Sequence, residues 1–381
     1  MHQSHRQAPP QVSRVKDNGA HMSMPPRTEI RPVVENIHGT DFIDNYRWLE
    51  GENSDPLHMG TVTPEVAAWT DEQNAHTRAR LDALPGRASV EATIRTLMQT
   101  TAVSAPVIRG GRWFYSRRER DQDQPVFYWR ASSNGPDRPF LDPKALDPTG
   151  LTAIEWVEPA PDGRLVAYGS YRSGSENTQL HVIELESGTL VEPPIPGKVQ
   201  APQWLPDGSG FIYQNLRVED DPYSGQVLFH RLGTPTAQDA LLHRQFTREE
   251  NEALATTWGP SASISHDGRW LFLGYWVDTQ SNDAWLVDFE KFRQTGVIDR
   301  VPVSVGETGH ITGTVIGNLL YLHTTKGAPK GRLVTVPVEN LQREAWIDLI
   351  PERTDAVMES VAFGQIVHSN AQANFCQTGR F

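Results

Sequence analysis

The sequence predicts an all-β fold, a β-propeller preceded by a short helical segment, and three observations predict it. A turn followed by an apolar, β-prone run recurs five times. The copies are Gly110-Gly111-Arg112-Trp113-Phe114-Tyr115, Pro161-Asp162-Gly163-Arg164-Leu165-Val166-Ala167-Tyr168, Pro206-Asp207-Gly208-Ser209-Gly210-Phe211-Ile212-Tyr213, His266-Asp267-Gly268-Arg269-Trp270-Leu271-Phe272-Leu273 and, more weakly, Ile316-Gly317-Asn318-Leu319-Leu320-Tyr321. The equivalent glycines, 111, 163, 208, 268 and 317, are spaced 52, 45, 60 and 49 residues apart. A second strand-like run follows each copy: Val126–Trp129, Leu180–Leu185, Val227–His230, Ala284–Val287 and Leu333–Val336. Asp-Gly suits a hairpin because glycine takes positive φ without a Cβ clash. A drifting period of about 50 residues, with one strand–turn–strand unit per step, marks a propeller blade rather than unrelated hairpins of a sandwich.

Composition fits this and excludes other classes. Only 38% of the 381 residues are hydrophobic, but 11 Trp, 13 Phe and 9 Tyr supply large buried surfaces and argue against global disorder. The net charge is −12, and acids interrupt the densest basic run, Ser116-Arg117-Arg118-Glu119-Arg120. A nucleic-acid partner needs a clustered basic surface and is not expected. No apolar run approaches membrane-spanning length, so no membrane partner is expected either. Cys376 is the single cysteine. It excludes an internal disulfide and fits a reducing, cytoplasmic setting.

In chain order, residues 1–26 read as a disordered leader without the apolar core of a signal peptide. Residues 27–100 form an extended and helical segment. Tyr46, Trp48 and Leu49 are its apolar anchor, tying the leader to a folded body. Pro64 to Leu84 reads as a helix, with Thr63 as cap, Pro64 at the first position and Glu65 in the first turn. Pro85-Gly86 breaks it from a second helix over Ser89 to Gln99. The blades occupy 101–367. Val357-Met358-Glu359-Ser360-Val361 opens a sixth repeat, and 368–381 is an aberrant tail with neither alternation nor turn punctuation.

The stretch His38-Gly39-Thr40-Asp41-Phe42-Ile43-Asp44-Asn45-Tyr46-Arg47-Trp48-Leu49-Glu50 resembles the amino-terminal motif of the prolyl oligopeptidase family of serine peptidases, His-Gly, a spacer, then Asp-Pro-Tyr-Arg-Trp-Leu-Glu. Asn45 replaces the proline, as in the sister group, oligopeptidase B. Trp69 to Thr77, Gln226 to Asp239 with its His230-Arg231-Leu232-Gly233-Thr234, Trp258-Gly259, His266 to Leu273 and Arg332-Leu333-Val334 extend the resemblance over about residues 27 to 367. It implies a seven-bladed propeller whose channel admits short oligopeptides to an α/β-hydrolase domain carrying the catalytic serine, aspartate and histidine. About five blades and part of a sixth are present by this reading. The expectation is therefore a truncated or frameshifted, incomplete propeller, inactive alone, with the hydrolase domain absent. The half-blade edge is expected to make the isolated chain oligomerise. The alternative is a stand-alone peptide- or protein-binding propeller, or one subunit of a split peptidase partnered by a separate α/β-hydrolase chain. The intact relative implied cleaves after proline; the oligopeptidase B alternative cleaves after basic residues.

The residues offer no catalytic, cofactor or metal set, and they leave the substrate-binding residues unassigned. A hydrolase nucleophile sits in Gly-x-Ser-x-Gly. The nearest match, Gly259-Pro260-Ser261-Ala262-Ser263, ends in serine and reads as a turn. The 13 histidines are dispersed, and His230 and His266 read as polar packing. Glu219-Asp220-Asp221 and Glu249-Glu250 read as solvated loop charge, with a weak calcium site as the lesser reading of the first. Cys376 reads as an exposed thiol. No cofactor is expected.

Overall fold

The structure, a computed structural model, describes residues 24–54, 60–218, 221–368 and 371–378. The chain divides after Leu97 into two compact units. The predicted leader lies outside the described residues up to position 23.

In the first unit, β1 (Val33–Ile37) and β2 (Thr40–Asp44) form an antiparallel hairpin with Ile37 opposite Thr40. Its turn is His38-Gly39, at φ 52° and 80°. Two successive left-handed residues make the two-residue turn that matches strand twist, which is the physical use of His-Gly in the motif. Asp44 then accepts from Tyr46 N and Arg47 Nε, each at 2.8 Å, closing the 3-10 turn Arg47–Glu50. Trp48 stands edge-on to Trp69, with ring centroids 6.4 Å apart, and lies under the Arg31 guanidinium at 4.7 Å. The apolar anchor therefore rests on Trp48, whereas Tyr46 is 44% exposed. Helix α1 (Pro64–Asp82) starts at the predicted cap, where Thr63 Oγ1 accepts from Val66 N at 3.2 Å. Helix α2 (Arg87–Met98) follows the Gly86 turn.

The second unit is a series of antiparallel sheets in simple chain order. Blade 1 comprises β3 (Ala102–Val103), β4 (Val107–Arg109), β5 (Arg112–Arg118), β6 (Val126–Arg130) and β7 (Arg138–Leu141). After the short helix α3 (Pro143–Leu146), blade 2 has β8 (Thr152–Pro159), β9 (Leu165–Arg172) and β10 (Gln179–Glu184). Blade 3 has β11 (Gln203–Trp204), β12 (Gly210–Leu216), β13 (Gly225–Arg231) and β14 (Ala240–Arg244). Blade 4 has β15 (Gly259–Ile264), β16 (Trp270–Trp276), β17 (Asn282–Asp288), helix α4 (Phe289–Thr295) and β18 (Val301–Ser304). Blade 5 has β19 (Ile311–Ile316), β20 (Leu319–Thr324), β21 (Arg332–Pro337) and β22 (Ile347–Ile350).

The five repeat glycines all sit at positive φ, between 64° and 77°. In the Asp-Gly turns the aspartate side chain secures the corner: Asp162 Oδ1 accepts from Arg164 N, and Asp207 Oδ1 from Ser209 N, each at 2.9 Å. Blade 2 lacks a regular fourth strand because Val191-Glu192-Pro193-Pro194-Ile195 carries two residues without an N–H. Only isolated bridges, Ile183 to Leu190 and Leu180 to Ile195, remain.

Strand periodicity explains the core. In β9, Val166 and Tyr168 point toward blade 1, while Ala167 between them points toward blade 3. In β12, Phe211 and Tyr213 pack on blade 2 and Ile212 on blade 4; in β16, Leu271 and Leu273 pack on blade 3 and Phe272 on blade 5. The sheets of blades 2, 3 and 4 are thus buried on both faces, so their middle strands read as unbroken apolar runs.

The sixth repeat is a two-stranded ribbon, β23 (Val361–His368) and β24 (Ala371–Thr378). Ahead of this ribbon, Val357 to Ser360 turns back on blade 5, with Met358 N donating to Lys330 O at 2.7 Å. Residues 371–378 of the tail run as β24. An exposed strand edge pairs with any extended segment free of proline, and residues 371–378 contain none.

Candidate functional site

The first strands of blades 2 to 5 stand side by side, joined through side chains instead of a backbone ladder. Trp204 Nε1 donates to Glu158 O at 2.9 Å. Gln203 Nε2 donates to Ala262 O at 2.7 Å, and its Oε1 accepts from Ile264 N at 2.9 Å. Ser263 Oγ donates to Gly313 O at 3.4 Å. This leaves a polar inner wall with a pocket at each end.

At the Asp-Gly turn end, a pocket of about 760 Å³ is lined by Arg109, Glu158, Gln203, Trp204 and His266, among others. Burial raises the Glu158 carboxyl above its ordinary value, against the lowering effect of Arg109. At the opposite end, a pocket of about 370 Å³ is lined by Glu155, Lys198, Gln200, Gln214, Gln226 and Trp258, with neighbours. Gln226 Nε2 donates to Asn215 Oδ1 at 3.0 Å, and Glu155 accepts the Thr178 hydroxyl. Amides and an indole, with Lys198 as the pocket's cation, suit an extended chain with its own peptide groups better than a metal ion. Among the described residues no group of three or more His, Cys, Asp or Glu could hold a metal.

Behind this wall lies a buried charged cluster. His230 Nδ1 is 2.7 Å from Asp239 Oδ1, and His230 Nε2 is 3.1 Å from Glu192 Oε1, off-line for a hydrogen bond. Tyr213 Oη donates to Asp239 Oδ2 at 2.8 Å, and Gly233 N to Glu192 Oε2 at 3.2 Å. His230 and Asp239 side chains are each 1% exposed and Glu192 is 8% exposed. Burial alone would lower His230, but its hydrogen bond to Asp239 and the carboxylate of Glu192 beside it outweigh burial and raise the imidazole to about 9. The cluster joins blade 2, through Glu192, to the His230–Thr234 motif of blade 3. The motif was legible in sequence; its partner Glu192, 38 residues upstream of His230 (230 minus 192), was not.

The residues singled out from sequence fall as follows. His230 is polar packing, as an ion pair. His266 lines the turn-end pocket. Glu250 pairs with Arg244 at 2.7 Å. Glu219 and Asp220 lie outside the described residues, as does the Cys376 side chain. Gly259-Pro260-Ser261-Ala262-Ser263 is corrected: it is strand β15, not a turn. Gly-Pro mimics turn chemistry, but this glycine is required in the strand itself: Gly259 stands at φ 74°, and a Cβ there would collide with Gln245 Oε1. No helix follows Ser261, so it is no nucleophile elbow. No described helix is long and apolar enough to cross a membrane.

Comparison with known proteins follows this geometry. Residues 25–367 match the family model described as "Prolyl oligopeptidase, N-terminal beta-propeller domain". The prolyl endopeptidase of Elizabethkingia meningoseptica is 27% identical over 344 residues, covering 87% of this chain and 45% of that protein. A solved prolyl endopeptidase structure superposes with a TM-score of 0.78 at 28% identity, covering 93% of this chain and 51% of that one. Prolyl oligopeptidase B from Galerina marginata, bound to a 35mer hydrolysis and macrocyclization substrate, superposes with a TM-score of 0.74 at 22% identity, over 88% of this chain and 48% of that one, and shares the fold. The chain spans about half the length of the curated relatives it matches.

Proposed function

The chain belongs to the prolyl oligopeptidase family through its N-terminal β-propeller, and on that premise we propose that it is the substrate-gating part of a serine endopeptidase that cleaves short peptides after proline. The observation that carries this reading is the polar inner wall, with its amide-lined pocket, on a chain whose relatives are prolyl endopeptidases. The wall would admit an extended peptide and hold it by hydrogen bonds; the folded body of a protein substrate has no such free backbone. The bond-breaking serine belongs to a hydrolase module of the family type. These 381 residues contain no Gly-x-Ser-x-Gly, so the propeller itself holds and screens the peptide and does not cut it.

Hydrolysis of fluorogenic substrates by the purified 381-residue chain tests this. Neither a Gly-Pro substrate nor an Arg-ended one should be turned over. Turnover of the Gly-Pro substrate that persists through repurification would mean that a nucleophile lies within the propeller.

A further inference from the structure

The end of the inner wall near Trp258 combines features that the gating reading leaves unused. The Trp258 side chain is 81% exposed, at the last residue before β15. Lys198 lines the same pocket in a left-handed backbone conformation, φ 54°, rare for a residue with a Cβ. That conformation is over-determined by its surroundings. Leu216 N donates to Gly197 O at 2.7 Å, Gln200 N to Gln214 O at 3.0 Å, Val199 N to Thr178 O at 2.9 Å and Trp156 Nε1 to Val199 O at 3.3 Å. A strained residue pinned on both sides at a pocket rim is a reason to look for function. Among the described residues the Lys198 ammonium has no ion-pair partner, and the Gln200 and Gln214 side-chain amides make no hydrogen bond.

We propose that this pocket is a peptide subsite in which the Trp258 indole carries a proline ring of an extended peptide, Gln200 and Gln214 bond its backbone, and Lys198 pairs its C-terminal carboxylate. The assignment rests on the peptide-gating reading above and adds to it a place and a chemistry. A proline-rich segment already holds an extended left-handed helix with its backbone groups unbonded, so an aromatic face flanked by free amides fits it at little ordering cost. Glu155, the other charged side chain among the described residues lining the pocket, accepts the Thr178 hydroxyl. Lys198 is the pocket's cation and the group offered to an anion.

The test is fluorescence anisotropy with the full chain and three fluorescein-labelled pentapeptides: Ala-Pro-Ala-Pro-Ala with a free carboxylate, the same peptide as its C-terminal amide, and penta-alanine with a free carboxylate. Trp258→Ala should weaken the free-acid proline peptide about tenfold and abolish its advantage over penta-alanine. Lys198→Met should weaken the free acid several-fold, leave the amide unchanged and remove the salt dependence of binding. Melting curves of both variants should match wild type, since both side chains are exposed. Binding by wild type that neither substitution alters would overturn the subsite and leave gating intact. No binding of any peptide by wild type would overturn both. Equal weakening of all three peptides together with a lowered melting temperature would make Trp258 structural and overturn the subsite. So would loss of self-association in Trp258→Ala, because the indole face would then be covered by a second copy.

Discussion

His230→Ala should destabilise the propeller by about 3–5 kcal/mol, the cost of leaving buried charges without their counter-ion. The substitution strands Glu192 and Asp239, both buried, against each other between blades 2 and 3. A surface histidine would cost far less. The same cluster fixes a pH dependence. His230 is raised from its ordinary 6.5 to about 9 in the folded chain. Its stabilisation is therefore complete below about pH 6.5 and is lost as pH climbs through about 9. Urea unfolding at pH 6, 7.5 and 9 checks both statements. Wild type should lose stability across that range on the order of 3 kcal/mol, and His230→Ala should be nearly flat. A variant within about 1 kcal/mol of wild type at pH 6 would show that the two carboxylates find other partners.

Phe211→Ala should cost about 3–5 kcal/mol, the usual range for a large-to-small change that leaves a cavity. Phe211 is fully buried. Its ring lies 5.2 Å from Trp204, 6.0 Å from Tyr213 and 5.1 Å from His230, so one truncation unpacks the blade 2–blade 3 interface and loosens the charged cluster beside it. The urea midpoint should fall with little change in slope. Trp258→Ala, of larger volume but on the surface, should stay within about 0.5 kcal/mol of wild type. Equal effects of the two would contradict the packing described for β12.

The middle strands of blades 3 and 4 were legible because both their faces are buried. Phe211-Ile212-Tyr213 and Leu271-Phe272-Leu273 are apolar at every position, and Asp-Gly marks where each begins. The first strands were not. Gly259-Pro260-Ser261 shows turn residues because one face of β15 lies on the inner wall, where small and polar groups suffice. The fourth strands are edges, and Arg138-Pro139 or Ile347-Asp348 carries the charge and proline that edges tolerate. The cap of α1 could be read off Thr63-Pro64-Glu65 because every partner is local. Lys198 could not: its left-handed backbone is imposed by Leu216, Gln214, Thr178 and Trp156, which sequence alone does not bring together. Gln245 is similar, since its single amide nitrogen serves the carbonyls of Leu254, Ala255 and Thr257 from a distance.

The most direct measurement is photo-crosslinking of a short proline-containing peptide bearing benzoylphenylalanine, competed with unlabelled peptide and mapped by mass spectrometry. If the inner wall holds the peptide, saturable crosslinks fall on the first strands and their pockets, around Arg109, Glu158, Gln200 to Gln203 and Trp258 to Ile264. Crosslinks confined to the outer strands, Ala240–Arg244, Val301–Ser304 and Ile347–Ile350, or crosslinks that no competitor reduces, would contradict it.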